Sequence, residues 1–539
     1  MSDPEAKEQA SLARSTVFMT AGTVVSRVTG VVRLAILAAT LGVAETRFTD
    51  TYNLANTAPN ILYELVLGGV VASVFIPVFV ELLERRDKEE AWRAISGIFN
   101  VSLLVLTGLS LLGIIAAPAM ARFYASRLEG ADLARQQEVL TYLLRIFIPQ
   151  VILYGIYFMA SGVLNAHKRF VLPMFTPILN NIVLIAVLIA FQHLYGLVTL
   201  RGATSSQLLL IGLGTTASVA PMGLLLLPAF KKLGGYRLTL YIEPALRKRL
   251  FDLSVFVIGF VAANQLTFLV VQWLANGSQG GYTAFISANA FFLLPIGLFV
   301  WSITTALLPR LTRSALEKAW GPFNNTLALG TRAVIFLMVP SSVLFIILAD
   351  PMVESLLEHG VVTGRSTDLV AGVLIFLVLG LVQFSLFQLY VRAFYAMQDA
   401  RTPFYVNCAV VSVNTLINLP MYAWLGVRGL AAGQAIAYSV GIYLQLRLLR
   451  TRTGGIPLRP LARGAAQTLL ASAGMAAVLW GTLEVLDSIG DTSALVRLIV
   501  PSVTGGLTFL GLALLLKIEE VTVVKDLVAR RRTTTSAAS

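Results

Sequence analysis

The 539-residue chain holds one cysteine, Cys408, and three histidines, His167, His193 and His359. A single thiol makes no intrachain disulfide and no cysteine-based metal site. The histidines stand far apart without metal-ligand spacing, so no zinc, haem or other metal cofactor is expected. Charge is also scarce. Asp, Glu, Lys and Arg supply 13% of the residues, against about 25% in an average soluble protein. That is too little to coat a water-soluble body of this size, which excludes a soluble enzyme, a disordered regulator and a secreted disulfide scaffold. No Walker-type nucleotide loop occurs. The first 14 residues are polar and the first apolar run is too long for a signal-peptide core, so no cleavable leader is expected.

What is abundant is apolar surface: 57% of residues are hydrophobic and the mean hydropathy is +0.79. A spanning helix takes roughly 20 apolar residues, and with its connection about 35–40, so the chain holds about fourteen spans and no inserted soluble domain. The runs fall at 15–41, 48–83, 92–121, 137–165, 171–196, 204–230, 248–274, 281–309, 325–349, 367–397, 403–425, 428–450, 462–486 and 493–518. The expected fold is an all-α polytopic membrane protein.

The net charge of +13 invites a nucleic-acid partner. Its distribution argues instead for membrane orientation. With both termini cytoplasmic, 28 of the 41 Lys and Arg lie in cytoplasmic segments, 8 in the opposite ones and 5 inside spans. This is the positive-inside pattern, and it accounts for the charge without nucleic acid.

An internal repeat divides the chain. Span 2 ends Val74-Phe75-Ile76-Pro77 and span 8 ends Ala306-Leu307-Leu308-Pro309, with the prolines 232 residues apart. Arg169, between spans 4 and 5, and Arg401, between spans 10 and 11, are again 232 apart. Six spans separate the copies, an even number, so the halves point the same way. Two parallel six-helix lobes around a central cavity are expected: spans 1–6 over 1–236, spans 7–12 over 237–455, and two extra helices with a cytoplasmic tail over 456–539.

Charges inside spans are costly and usually face a wet cavity or a partner. Arg27 and Arg33 in span 1 stand about 9 Å apart along a helix axis. Two guanidiniums suit a diphosphate, because arginine matches phosphate geometry in a bidentate way. An ion pair with Asp50 or Glu64, or snorkelling to the interface, is the competing reading. In span 2, Asp50, Asn53, Asn60 and Glu64 fall close to one helix face over about 21 Å. Such a stripe either glues helices together or lines a cavity, and two carboxylates favour the lining. Gly68 and Gly69 follow and would permit a bend. A second polar set comprises Asp252, Asn264 and Gln265 in span 7, Asn289 in span 8, and Asn414 and Asn418 in span 11. Oxygen ligands at Asp252, Asn414 and Asn418 make a candidate cation site, with structural hydrogen bonding as the alternative.

These residues carry a family resemblance. Ser26-Arg27-Val28-Thr29-Gly30-Val31-Val32-Arg33 resembles the first-span motif of the MurJ (MviN) lipid II flippase family. So do Thr49-Asp50-Thr51-Tyr52, Pro59-Asn60 with Phe75-Ile76-Pro77-Val78-Phe79, Gly162-Val163-Leu164-Asn165 through Arg169-Phe170 and Pro173, Leu307-Leu308-Pro309, Phe394-Tyr395-Ala396, and Asp399 with Thr402-Pro403. The resemblance covers spans 1 to 12 in order. It implies the fold of the multidrug/oligosaccharidyl-lipid/polysaccharide exporter superfamily. It also implies a transporter, not an enzyme, in the bacterial cytoplasmic membrane. Its expected cargo is the undecaprenyl-pyrophosphate-linked peptidoglycan precursor, carried from the inner to the outer leaflet by alternating access. On this reading Arg27, Arg33, Asp50, Asn53, Asn60, Glu64 and Asn289 bind substrate, while Gly68, Gly69 and Gly297 serve gating. The family's second-span arginine pair is replaced by Tyr63-Glu64 and an eighth-span arginine by Asn289, leaving Arg145 and cytoplasmic cations to compensate. The expected partners are lipid II, membrane lipids and cell-wall synthesis proteins. Energy is expected from an ion gradient or the membrane potential. The rival readings are an exporter of another lipid-linked oligosaccharide or of drugs on the same fold, and a membrane glycosyltransferase.

Overall fold

The computed structural model describes residues 22, 25–65, 75–167, 169–490 and 492–521, excepting the side chains of 253, 256 and 458. Every described element is helical. Among the described residues ten helices, counted across short breaks, are long and apolar enough to cross a membrane, and an eleventh is a bent pair. The chain is a multi-pass membrane protein.

The backbone groups separate into two units, residues 1–283 with 359–363, and residues 284–358 with 364–539. In the first unit α1 runs over 25–41. It is followed by α2 (Arg47–Tyr63), α3 (Ile76–Arg85), α4 (Lys88–Ala125), α5 (Gly130–Phe147), α6 (Gln150–Ala166), α7 (Val171–Tyr195), α8 (Ser205–Leu224), α9 (Leu226–Lys231) and α10 (Pro244–Ala275). Helix α11 (Gly281–Pro295) begins in this unit. Span 4 is α5 plus α6, interrupted at Ile148-Pro149, where the proline removes a backbone donor and crowds the preceding turn. Span 2 is α2 and α3. Gly68 and Gly69, expected to bend it, lie outside the described residues.

The return segment 359–363 packs on the end of α1. The Val361 amide donates to the Ala39 carbonyl at 3.1 Å. The Thr363 amide and hydroxyl both donate to Glu45 Oε1 at 2.8 Å. Gly360 is obligatory here: its φ is +65°, and a Cβ would stand 2.4 Å from the Ala39 carbonyl oxygen.

The second unit continues with α12 (Trp301–Leu316), α13 (Trp320–Ile347), α14 (Ala349–Leu357), α15 (Gly364–Val378), α16 (Leu381–Ala396), α17 (Arg401–Leu425), α18 (Val427–Thr453), α19 (Leu458–Ile489) and α20 (Ala494–Leu515). Span 8 joins α11 to α12 through a π-helical turn at Ile296–Val300, directly after Pro295. Gly297, expected to serve gating, sits in that turn, and π turns mark places where a helix ladder is locally opened. Span 10 is bent by 47° between α15 and α16. At the bend Gly380 lies against Ala435, 3.1 Å from where a Cβ would be. Helix α13 packs with α19 and α20 through Phe336, Ala471, Met475, Leu479, Phe509 and Ala513.

Candidate functional site

The start of α2 is locked by a buried polar network. Thr46 caps the helix, its hydroxyl accepting from the Phe48 amide at 3.2 Å. Asp50, one turn in, is fully buried. Its carboxylate accepts from the Gly280 amide at 2.7 Å, the Thr283 amide at 2.9 Å and the Thr283 hydroxyl at 2.7 Å. Those amides open α11, where the first N–H groups have no helical partner and the helix dipole is positive. Asp50 therefore acts as the cap of a helix distant in sequence. Gly280 enables this with φ +77°, and a Cβ there would meet Ala44 at 2.6 Å. Asn53 donates to the same Thr283 hydroxyl at 3.1 Å. Gln136 donates to Thr51 at 3.1 Å and to Asn276 at 3.0 Å, and Asn276 donates to the Tyr124 carbonyl at 2.8 Å. Closed networks of this kind fix one arrangement because each unmade bond is costly.

The polar stripe of α2 is thus two things. Its first half, Asp50 and Asn53, is enclosed and fully engaged, so in this structure these two residues pin α2 to the start of α11 and line no opening. Its second half is accessible. Asn60 is half-buried and donates to the Asn56 carbonyl at 3.3 Å. Glu64 is exposed, and its Oε2 accepts from Gln265 at 3.3 Å. Tyr63 stacks on Phe158 with ring centroids 4.8 Å apart and lies 5.2 Å from Tyr154. On α1, Arg27 is exposed and Arg33 half-buried. Among the described residues neither has an ion-pair or hydrogen-bond partner, and Arg33 reaches Tyr52 and Tyr154 only through its field. The expected ion pairs with Asp50 and Glu64 do not form. Asn181 of α7 positions this helix, donating to the Thr29 hydroxyl at 2.9 Å.

The first unit therefore presents two free guanidiniums on α1, an exposed carboxylate at the end of α2, and a tyrosine–phenylalanine stack beside it. Such a set can hold an anion and flat or polar sugar surfaces. Arg145 lines a separate cavity of about 590 Å³ with Arg122, Arg135, Glu138 and Tyr142.

In the second unit Asn289 is half-buried on α11. Asn418 donates to Asn414 at 2.7 Å, both side chains being buried. Asp252 is exposed on α10 of the first unit. Of the candidate cation site, Asn414 and Asn418 are joined by that one bond, and Asn418 Oδ1 is buried without a hydrogen-bond partner among the described residues. Among the described residues no group of three or more His, Cys, Asp or Glu could hold a metal ion. Sequence reasoning missed Gly280 and Thr283. No local pattern marks them, because the partner carboxylate lies 230 residues away.

Comparison with known proteins decides the lineage. Residues 37–500 match the family model described as lipid II flippase MurJ. The chain belongs to that family. Its members are transporters, not enzymes. It is 27% identical to the lipid II flippase MurJ of Burkholderia cenocepacia over 451 residues, covering 82% of this chain and 84% of that one. It is also 27% identical to a probable lipid II flippase MurJ of Vibrio cholerae, covering 81% and 82%. Among solved structures it is similar to a lipid II flippase MurJ in an inward closed conformation. There the TM-score is 0.76 at 20% identity, over 95% of this chain and all of that one. It also resembles an inward-facing multidrug-resistance MATE transporter of the MOP superfamily, with TM-score 0.65 at 13% identity over 80% of this chain and 94% of that one. Arg27 and Arg33 precede the matched region of the family model, so their role stands on their chemistry and placement.

Proposed function

We propose that this protein moves lipid II, the lipid-linked peptidoglycan precursor, from the inner to the outer leaflet of the bacterial cytoplasmic membrane. The observation that carries this reading is the family match across residues 37–500. Both termini face the cytoplasm, as the split of Lys and Arg supports. The polar head crosses by alternating access of two six-helix lobes, 1–236 and 237–455, while the lipid tail stays in the bilayer. The pyrophosphate contacts Arg27 and Arg33, whose guanidiniums have no competing partner among the described residues. Asn60, Glu64 and Asn289 contact the sugar–peptide head, since an exposed carboxylate would repel the pyrophosphate but accept hydroxyl and amide donors. Asp50 and Asn53 hold the frame of α2. The π turn around Gly297 and the segment containing Gly68 and Gly69 serve as bending points. With net positive charge on the substrate path, the membrane potential biases the return step: one charge across 100 mV is worth about 2.3 kcal/mol. An ion gradient is the alternative source. Cell-wall synthesis proteins that consume the flipped precursor are the expected partners.

The test is depletion of the protein in its host, with lipid II in the outer leaflet read by a membrane-impermeant probe. Outer-leaflet lipid II should fall while the inner-leaflet pool rises. An unchanged outer pool overturns the reading.

A further inference from the structure

The second unit contains a basic cavity whose residues are not among those assigned to the substrate above. It lies where α13, the beginning of α19 and the end of α20 meet, and has a volume of about 380 Å³, lined chiefly by Arg332, Arg459, Arg463, Gln467, Lys517 and Glu519. Arg459 and Arg463 are four residues apart on α19 and so share a face. Helix α20 stops at Leu515, and the chain reverses at Lys517, which adopts φ +53°. A left-handed conformation costs a residue with a side chain about 1 kcal/mol or more. The turn is held by the Ile518 amide donating to the Ala513 carbonyl at 3.0 Å and by burial of Ile518 beside Phe336 and Ala513. Gln467 of α19 ties it further, donating to the Leu516 carbonyl at 2.9 Å.

The reversal delivers Glu519 and Glu520 to Arg332, at 2.5 Å and 3.2 Å. Both carboxylates thereby pair with one guanidinium. Arg459, Arg463 and Lys517 face the same cavity, and among the described residues none of them has an ion-pair or hydrogen-bond partner. Three unpaired cations around one hollow repel one another and call for an anion. The position says which kind. Helices α19 and α20 are each long and apolar enough to span a bilayer, and the cavity sits at the first turns of one and just past the end of the other. That is the level at which lipid phosphates lie. Arginine forks and a lysine point charge are the side chains that bind phosphate.

We propose that this cavity binds the phosphodiester head group of an anionic phospholipid, clamping the α19–α20 hairpin to α13 at one membrane surface. Arg459, Arg463 and Lys517 contact the phosphate. The Glu519–Glu520–Arg332 bridge sets the floor of the cavity and limits its net charge.

The experiment measures thermal melting of the purified full-length protein in detergent during titration with phosphatidylglycerol, phosphatidylcholine, undecaprenyl pyrophosphate or inorganic phosphate. Phosphatidylglycerol should raise the melting temperature and phosphatidylcholine should not. The R459Q/R463Q variant should melt normally without lipid yet need about tenfold more phosphatidylglycerol for half its effect. R310Q/R313Q, with the same change of charge, should respond like the parent. E519Q removes one negative charge from the cavity while Glu520 stays on Arg332, and should respond at a lower lipid concentration than the parent. An equal response to inorganic phosphate, or a stronger one to undecaprenyl pyrophosphate, overturns the phospholipid assignment in favour of that phosphate source. An R459Q/R463Q protein that keeps the parent's preference overturns the site itself. The readout is binding, so a failure here leaves the flippase reading untouched, and the reverse also holds.

Discussion

Arg27 and Arg33 are cations in an apolar helix with nothing to neutralise them among the described residues, a costly arrangement in a bilayer. A working role is the physical reason to keep them. Arg27→Ala should therefore abolish growth when it is the only copy, with membrane abundance unchanged by immunoblot. Normal growth on that allele would remove Arg27 from the substrate path. Asp50 makes the opposite case. Its carboxylate is enclosed and accepts three bonds, so Asp50→Ala leaves two α11 amides unpaired in a buried place. Each such loss costs about 1–3 kcal/mol. The variant should melt well below the parent in detergent, and a parent-like melting curve would refute the capping role. All three residues were visible in the sequence as charges inside spans. Their different duties were not, because a carboxylate lining water and one capping a helix 230 residues away are the same letter in a hydropathy plot.

At the scale of elements, hydropathy located the spans and missed their breaks. The interruption before Pro149, the π turn after Pro295 and the 47° bend at Gly380 all lie inside apolar runs that read as continuous. Proline and glycine supply the local cause, but other prolines, such as Pro59 and Pro340, sit within unbroken helices. Neighbouring packing decides which of them bends a span. Gly280 is a stricter case, because its positive φ and the nearness of Ala44 leave no room for a Cβ. Gly280→Ala should cost about 1–3 kcal/mol, seen as lower melting temperature and lower membrane yield; unchanged values would mean that the start of α11 can shift. The start of α17 depends on a titratable cap. Asp399 accepts from the amides of Arg401 and Thr402, both at 3.0 Å, and from the Thr402 hydroxyl at 2.6 Å, and it pairs with Arg452. Burial works against its charge, but the Thr402 bonds and Arg452 prevail and hold the carboxyl below its ordinary 3.8. Folding therefore favours the ionised form. The resulting stability is present above the ordinary carboxylate range and is lost as pH falls through the lowered value. Melting followed from pH 6 to about 3 should show a steeper acid loss for the parent than for Asp399→Asn. Parallel curves would rule out this cap as an acid-labile contact.

For the whole molecule, composition leaves few options, and the signs of its loop charges suggest an orientation. Asn289 is where a charged position was expected from the family resemblance, and it is half-buried with no partner among the described residues. Asn289→Arg should be tolerated, with normal membrane yield and growth, if this face of α11 meets water; loss of yield would place it in packing. The α18 helix shows the limit of hydropathy as a guide. Residues Val427–Thr453 form one helix, yet Gln434, Gln445, Gly429, Gly433 and Gly441 hold its charge-free stretch below the hydropathy of an evident span. By itself the sequence determined the all-helical membrane fold and the near positions of its helices, because burial of apolar side chains in lipid is a local property of each run. It also carried the family, through short motifs at span ends. Only the tertiary structure decided which in-span polar groups are spent on one another and which stand free. Pairing depends on distance in space: Asp50 finds Gly280 and Thr283, Arg332 finds two glutamates, and among the described residues Arg27, Arg33, Arg459 and Arg463 are left with positive charge to offer.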